Sequence, residues 1–307
     1  MDAVPPGTGT RFTIDIRPGV YAGQVIVPAD KPNILLRGRG ADPGRVVITD
    51  DRASGTPRPD GGTWGTSGSA SVTVDAADFT ATNLTFANSF DEAAHPEITA
   101  RQAVALLSRA DRLVFDNVRF LGNQDTLYLN SPAAAVPSRI YLHRCYVEGD
   151  VDFVFGRGTA VFDRCRIHSL TRGSTTNNGY VTAPSTSVTN PYGLLFAGCA
   201  FTSDAPPASV YLGSTLAPQP GPERHRPDGD PRLGARRTHR PGALDRLRHL
   251  ALARRPLRGV PQPRPRRPGD AGPPPTDRRT VRGLPAGGVP GLAPTAGPRT
   301  ADRTGPR

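Results

Sequence analysis

A short apolar motif that recurs between residues 79 and 201 restricts the chain to folds built from stacked repeats. Each copy has apolar residues on both sides of one small polar or thiol position, and these positions are Asn83, Asn117, Cys145, Cys165 and Cys199. Successive copies lie 34, 28, 20 and 34 residues apart. A variable period is typical of a parallel β-helix, in which the turns differ in length while the strands stay stacked. β-Sandwich and jelly-roll folds remain alternatives, although neither predicts a repeated motif.

The segment from residue 12 to residue 213 favours the same architecture. Short apolar runs at 12–16, 24–27, 33–36 and 46–48 are separated by Gly, Asn, Asp, Pro and Ser, as in strands joined by turns. We find no amphipathic helix longer than one turn, so the sequence predicts an all-β fold. The three cysteines share one repeat position, which favours small buried residues in an interior ladder over a disulfide or a metal site.

The composition of the chain changes at residue 213. Residues 1–213 carry 18 Lys and Arg against 20 Asp and Glu, whereas residues 214–307 carry 20 Arg against 7 acidic residues. The second segment also holds 19 Pro and 13 Gly and has no Phe, Trp, Tyr or Ile. Without large apolar groups it cannot offset the entropy of ordering its backbone. We therefore predict a β-helix at 1–213 and a disordered basic tail at 214–307.

Several classes of protein are disfavoured by the sequence. It contains no apolar run of about 18 residues, which excludes a helical membrane span, and its start lacks the pattern of a signal peptide. The positive tail has the charge for binding a polyanion such as a nucleic acid. It has no aromatic residues for base stacking and no recognised module, so no nucleic-acid partner is expected.

Polar side chains interrupt the repeat in three segments, at 101–106, 122–128 and 149–156. Gln102 precedes Asp125 by 23 residues, and Asp125 precedes Asp152 by 27. Both gaps are about one coil, so Gln102, Gln124, Asp125 and Asp152 are expected to lie close together on one outer face. When two carboxylates lie close together, charge repulsion raises the pKa of one of them. That acid stays protonated while the other stays ionised and can act as a nucleophile or base. The competing interpretation is that both aspartates cap turns.

These segments resemble a known family. Gln-Ala-Val-Ala-Leu at 102–106, Gly-Asn-Gln-Asp-Thr-Leu-Tyr at 122–128 and Gly-Asp-Val-Asp-Phe-Val-Phe-Gly at 149–156 are similar to signature segments of bacterial-type pectin methylesterases (pectinesterases). Shorter matches in the same order lie at 19–21, 179–185 and 211–213. The resemblance implies a right-handed parallel β-helix that removes methyl esters from the galacturonate units of pectin (homogalacturonan), with no metal or cofactor. It also implies an extracellular monomer.

The resemblance assigns roles to six residues. Asp152 is implied as the nucleophile that attacks the ester carbonyl. Asp125 is implied as the acid that protonates the departing methanol and as the base that then deprotonates water. Gln102 and Gln124 are implied as donors to the oxyanion. The remaining two residues, Val151 and Phe155, are implied to line the sugar subsites.

The chain departs from the family pattern at two places. Gly23 stands where the family usually has Glu, and Ser-Thr-Leu at 214–216 replaces an Arg-Pro-Trp whose Arg holds the nucleophile. Reading one base later permits Arg-Pro-Trp directly after Gly213, so we predict a single-base insertion near codon 213, either real or a sequencing error. The start also resembles the middle of the family's opening segment, which predicts a missing first element and secretion signal. The product as encoded is expected to be impaired or inactive.

Two other classes of function stay open on the sequence. A β-helix that only binds acidic polysaccharide would need no nucleophile. A structural or adhesive solenoid would need no polar cluster at Gln102, Asp125 and Asp152.

Overall fold

A computed structural model describes residues 1–7, 9–188 and 190–214 of the 307-residue chain. The short helical segments are α1 (Gly65–Gly68) and a 3-10 turn at Pro43–Arg45. The strands are β1 (Phe12–Ile16), β2 (Gly19–Ala22), β3 (Val25–Val27), β4 (Ile34–Gly38), β5 (Val46–Asp50), β6 (Val72–Val74), β7 (Thr80–Asn88), β8 (Leu106–Ser108), β9 (Leu113–Leu121), β10 (Leu127–Leu129), β11 (Arg139–His143), β12 (Tyr146–Gly149), β13 (Val151–Gly156), β14 (Thr159–Asp163), β15 (Arg166–Ser169), β16 (Tyr180–Pro184), β17 (Leu194–Ala197), β18 (Ala200–Ser203) and β19 (Tyr211–Gly213). The tail predicted to be disordered lies, apart from Ser214, outside the described residues.

The strands wind into a right-handed parallel β-helix with three faces. Face 1 comprises β1, β4, β11, β14, β17 and the first halves of β7 and β9. Face 2 comprises β2, β5, β12, β15, β18 and the second halves of β7 and β9. Face 3 is a separate seven-stranded sheet of β3, β6, β8, β10, β13, β16 and β19. Every pairing among these strands is parallel, so the predicted all-β, coiled architecture is confirmed.

Apolar side chains stack in ladders inside the coil. The rings of Phe79 and Phe115 lie 6.1 Å apart and those of Phe86 and Phe120 6.0 Å apart, and all four are fully buried. Burying one such ring contributes about 2–3 kcal/mol. Because equivalent positions of adjacent strands lie one strand spacing apart, an apolar residue in one coil contacts its counterpart in the next.

A left-handed residue turns the chain between faces 1 and 2 in successive coils. Asn83 has a φ of 55° and Asn117 a φ of 54°, and the equivalent residues Arg144, Arg164 and Gly198 are also left-handed. Asparagine adopts this conformation more readily than most residues. The Asn117 amide donates from Nδ2 to Oδ1 of Asn83 at 2.9 Å, which ties the corners of two coils together.

The register corrects our alignment of the repeat, which placed the asparagines and the cysteines at one position. Cys145 is equivalent to Val118 of the preceding coil, not to Asn117. The cysteines therefore follow the corner by one residue, because the corner needs left-handed backbone and the next side chain points inward. Cys145 and Cys165 are buried and Cys199 is half-buried, all as free thiols, as predicted for an interior ladder.

In the described part of the chain, no helix has the length and apolar character needed to span a bilayer.

Candidate active site

The two predicted acids lie side by side on face 3. Asp125 lies two residues before the start of β10, and Asp152 lies within β13. These strands pair in parallel with Leu127 opposite Val154, which makes Asp125 and Asp152 equivalent positions of adjacent coils. The structure therefore brings together two carboxylates that are 27 residues apart in sequence.

Both acids occupy unusual backbone conformations. The φ of Asp125 is 65° and that of Asp152 is 52°, in the left-handed region that costs a residue other than glycine of the order of 1 kcal/mol or more. The pairing between β13 and β16 also shifts register between Val151 and Val154. An irregularity of this kind redirects a side chain that would otherwise alternate in and out of the sheet.

Asp125 is set up to remain protonated at neutral pH. Its side chain is buried, with 9% of the residue exposed. Burial, the larger cause, and charge repulsion from the neighbouring Asp152 and Asp150 together raise the pKa of Asp125 to about 8. The sequence predicted repulsion between the pair, whereas the structure makes loss of hydration the larger cause.

Asp152 is half-buried and less strongly perturbed. Burial raises its pKa, and the nearby Ser214 hydroxyl opposes this rise. The two side chains are close but do not have the geometry of a hydrogen bond, and Oδ1 of Asp152 and Oγ of Ser214 are buried atoms with no hydrogen-bond partner among residues 1–214. Ser214 is held in place by its backbone N–H, which donates to the Thr182 carbonyl at 2.8 Å.

The two glutamines lie in adjacent coils of face 3, and Gln124 directly precedes Asp125 in sequence. The Ala103 N–H donates to the Gln124 carbonyl at 3.0 Å, and the Ser54 N–H donates to the Gln102 carbonyl at 2.7 Å. The register places Gln102 opposite Asn123, one coil before the segment that holds Gln124 and Asp125. Oε1 of Gln102 is buried without a partner among the described residues.

The predicted subsite residues differ in accessibility. Val151 is half-buried at the start of β13. Phe155 is only 9% exposed, because its ring stacks on Tyr128 with the centroids 4.1 Å apart. Tyr128 is the more accessible member of this aromatic pair, and it is not among the predicted subsite residues.

Asp150 is a further carboxylate that sequence reasoning left unassigned, although it lies in a quoted motif. Its side chain is 9% exposed, and its Oδ2 lies 3.8 Å from Nη1 of Arg172. Burial raises the pKa of Asp150, an effect that hydrogen bonding from the Val151 N–H and the charge of Arg172 oppose. Asp150 in turn helps to hold the proton on Asp125.

A cleft of about 700 Å³ opens beside the acid pair, on the side of Asp150. Charged side chains of both signs line the cleft. The acidic ones are Asp91, Glu92, Glu148 and Asp150, and the basic ones are Arg101 and Arg172. Neither Asp125 nor Asp152 is part of its lining. The acid pair therefore lies outside this cleft, with Asp125 buried and Asp152 half-buried on face 3.

A family model described as Pectinesterase matches residues 1–214. Among curated proteins, a pectinesterase of Ralstonia nicotianae is 37% identical over 225 residues, which cover 69% of this chain and 57% of the relative. Pectinesterase 31 of Arabidopsis thaliana is 38% identical over 224 residues, covering 71% of this chain and 64% of the relative. The chain thus spans less than two thirds of the length of these relatives.

Solved structures give the same result. A crystal structure of a pectin methylesterase in complex with a hexasaccharide superposes with a TM-score of 0.64 at 36% identity, covering 69% of this chain and 64% of the other. The pectin methylesterase PemA from Erwinia chrysanthemi gives a TM-score of 0.63 at 35% identity, with the same coverage.

Proposed function

Because the chain belongs to the pectinesterase family, we propose that its β-helix is built to hydrolyse the methyl esters of galacturonate units in pectin, with release of methanol. The observation that carries the proposal is the pairing of Asp125 with Asp152 across adjacent coils, one strongly and the other weakly perturbed. Such a difference divides acid and nucleophile roles between two carboxyl groups. The relative bound to a hexasaccharide supports a carbohydrate substrate.

In the first half of the proposed reaction, the ionised carboxylate of Asp152 attacks the carbonyl carbon of the ester. The carbonyl π electrons move to oxygen and form a tetrahedral oxyanion. Collapse of this species breaks the bond to the methoxy oxygen, which takes the proton of Asp125 and leaves as methanol. The products of this half are a mixed anhydride on Asp152 and an ionised Asp125.

In the second half, the ionised Asp125 removes a proton from water, and the resulting hydroxide attacks the galacturonate carbonyl of the anhydride. Expulsion of the Asp152 carboxylate regenerates the nucleophile, and the sugar leaves as a free acid that ionises at neutral pH. A pKa near 8 suits Asp125 to both steps, because a group that titrates near the working pH can give and take a proton.

Gln102 and Gln124 donate to the oxyanion through their carboxamide N–H groups. Each such donor contributes a few kcal/mol to the transition state when it is preorganised. Both side chains are half-buried, and Oε1 of Gln102 is unpaired among the described residues. Val151 and Phe155 border the sugar, with the accessible Tyr128 ring stacked on Phe155.

The product as encoded has an incomplete site. Ser214 stands where the resemblance implies an Arg that holds the nucleophile, and both Oδ1 of Asp152 and Oγ of Ser214 lack partners among residues 1–214. A guanidinium at this position would stabilise the ionised carboxylate through charge-assisted hydrogen bonds. Its absence predicts a strongly reduced rate.

A single-base insertion near codon 213 accounts for the lost motif. The family match ends at residue 214, at the place where the composition changes. The nucleotide sequence across codons 205 to 225 tests this, since an uninterrupted frame that encodes Ser214 onward in independent reads excludes a sequencing error. An extracellular location and a monomeric state remain predictions of the resemblance.

The proposal is tested by methanol release from methyl-esterified homogalacturonan. We expect little or no methanol from the 307-residue product and a rate at least about a hundredfold higher from a version in which the shifted frame is restored after Gly213. Equal release by both versions would contradict the role of the missing Arg. Absence of release from the restored version would contradict the esterase function itself.

A further inference from the structure

A second row of polar side chains lies on face 3, at the edge opposite the acid pair. Arg109, Asn130 and Arg157 each follow a strand of this face, after β8, β10 and β13. The register of these strands makes the three residues equivalent positions of successive coils. The row is separated from the acids by the stacked pair of Tyr128 and Phe155.

The guanidinium of Arg157 is positioned at this edge by side-chain contacts. Its Nε donates to Oδ1 of Asn130 at 2.7 Å, and Nδ2 of Asn130 donates to the Tyr128 hydroxyl at 3.1 Å. Burial raises the pKa of Tyr128, and the charge of the nearby Arg157 opposes that rise. Arg157 therefore lies next to the half-buried ring of Tyr128.

The charges along the row are not balanced. Arg109 is neutralised by Asp75 through two hydrogen bonds, of 2.7 and 2.8 Å. Arg157 pairs with no carboxylate in the part of the chain that the structure describes, and its terminal Nη groups make no hydrogen bond there. At this edge the half-buried Arg157 therefore carries a positive charge, and its Nη donors have no hydrogen-bond partner among the described residues.

We propose that Arg157 binds a free carboxylate of the substrate chain, on a galacturonate unit that carries no methyl ester. This inference rests on the proposed function. The planar fork of arginine matches a carboxylate with two parallel hydrogen bonds, and a methyl ester lacks the charge for this interaction. Arg157 lies five positions beyond Asp152 and on the far side of the stacked pair of Tyr128 and Phe155, at most about 16 Å along the strand at about 3.3 Å per residue. The carboxylate therefore belongs to a different sugar unit from the ester that reacts.

The test measures affinity, so that it does not depend on turnover. The 307-residue protein with Asp152→Asn, which prevents hydrolysis, is titrated by calorimetry with a free-acid oligogalacturonide and with its fully methyl-esterified counterpart of equal length. In this background Arg157→Gln is expected to weaken binding of the free acid about tenfold and to leave binding of the ester unchanged. Arg157→Lys keeps the charge but loses the planar fork, so it is expected to retain only part of the preference for the free acid.

Arg166→Gln is the matched control. Arg166 also donates from Nε to one neutral side chain, Thr202 Oγ1 at 3.3 Å, and also lies beside a tyrosine ring, that of Tyr146. It belongs to face 2 rather than face 3. Its substitution is expected to leave both affinities unchanged, and thermal unfolding of each variant verifies that it is folded.

The outcomes separate this inference from the proposed function. If Arg157→Gln and Arg166→Gln bind the free acid equally well, or if Arg157→Gln weakens both oligomers alike, the carboxylate site is wrong while the esterase function stands. If neither oligomer binds the parent protein, the carboxylate site is wrong, and methanol release from the frame-restored protein alone decides the esterase function. If the free acid binds through Arg157 but the frame-restored protein releases no methanol, only the esterase function fails.

Discussion

At the scale of single residues, the site depends on a carboxyl group that is kept from water. The pKa of Asp125 reaches about 8 mainly because of burial, with Asp152 and Asp150 adding repulsion. Both acids of the pair also have left-handed backbone, a conformation that proteins retain where the surroundings enforce it. These features cost stability, as is common at catalytic sites.

The first prediction concerns the pH dependence of stability. Between the ordinary pKa of 3.8 and about 8, the folded state keeps a proton on Asp125 that the unfolded state has lost, so a rise in pH reduces stability. Asp125→Asn removes this penalty. The variant is expected to equal the parent near pH 4 and to exceed it by on the order of 2 kcal/mol near pH 8. Urea unfolding at both pH values measures the difference.

The control for this experiment is Asp204→Asn, which changes an exposed aspartate of the same chain. It is expected to shift stability equally at both pH values. If the free energy of unfolding differs between Asp125→Asn and the parent by the same amount at both pH values, the prediction is wrong. That result would show that the folded state binds the Asp125 proton no more tightly than the unfolded state does.

At the scale of elements, the corner between faces 1 and 2 sets the register of the coils. The sequence motif Val-Phe-Asp at 114–116 and 161–163 marks equivalent strands, and the structure aligns the residues that follow, Asn117 and Arg164. Our alignment instead matched Asn117 with Cys145, because residue size and polarity do not reveal which position needs a left-handed backbone. Strand existence was predictable from apolar periodicity, whereas this offset was not.

The second prediction tests that corner. Asn117→Val places a β-branched side chain at a φ of 54° and removes the hydrogen bond to Asn83. We expect a loss of about 2 kcal/mol in the free energy of unfolding, from backbone strain and the lost bond together. Asn117→Gly tolerates the conformation and is expected to lose less. Equal losses for the two variants in urea unfolding would argue against a conformational role.

At the scale of the whole molecule, the coiling of the chain brings residues that are about one coil apart in sequence into contact. Motif spacing of about one coil was sufficient to predict that Asp125 and Asp152 meet, and their register agrees with it. The spacing did not give the exact partner of Gln102, which lies opposite Asn123 because the coil from β8 to β10 is 21 residues long and the next is 27. The row of Arg109, Asn130 and Arg157 could not be predicted, since only the strand register aligns these three unrelated residue types.

The central claim is that Asp152, next to a protonated Asp125, is the nucleophile of an ester hydrolase. The most direct measurement is methanol release from methyl-esterified homogalacturonan by the frame-restored protein with and without Asp152→Asn, both verified as folded. We expect a loss of at least about a thousandfold while binding of the esterified oligomer is retained. A variant that releases methanol within a few-fold of the parent rate would contradict it.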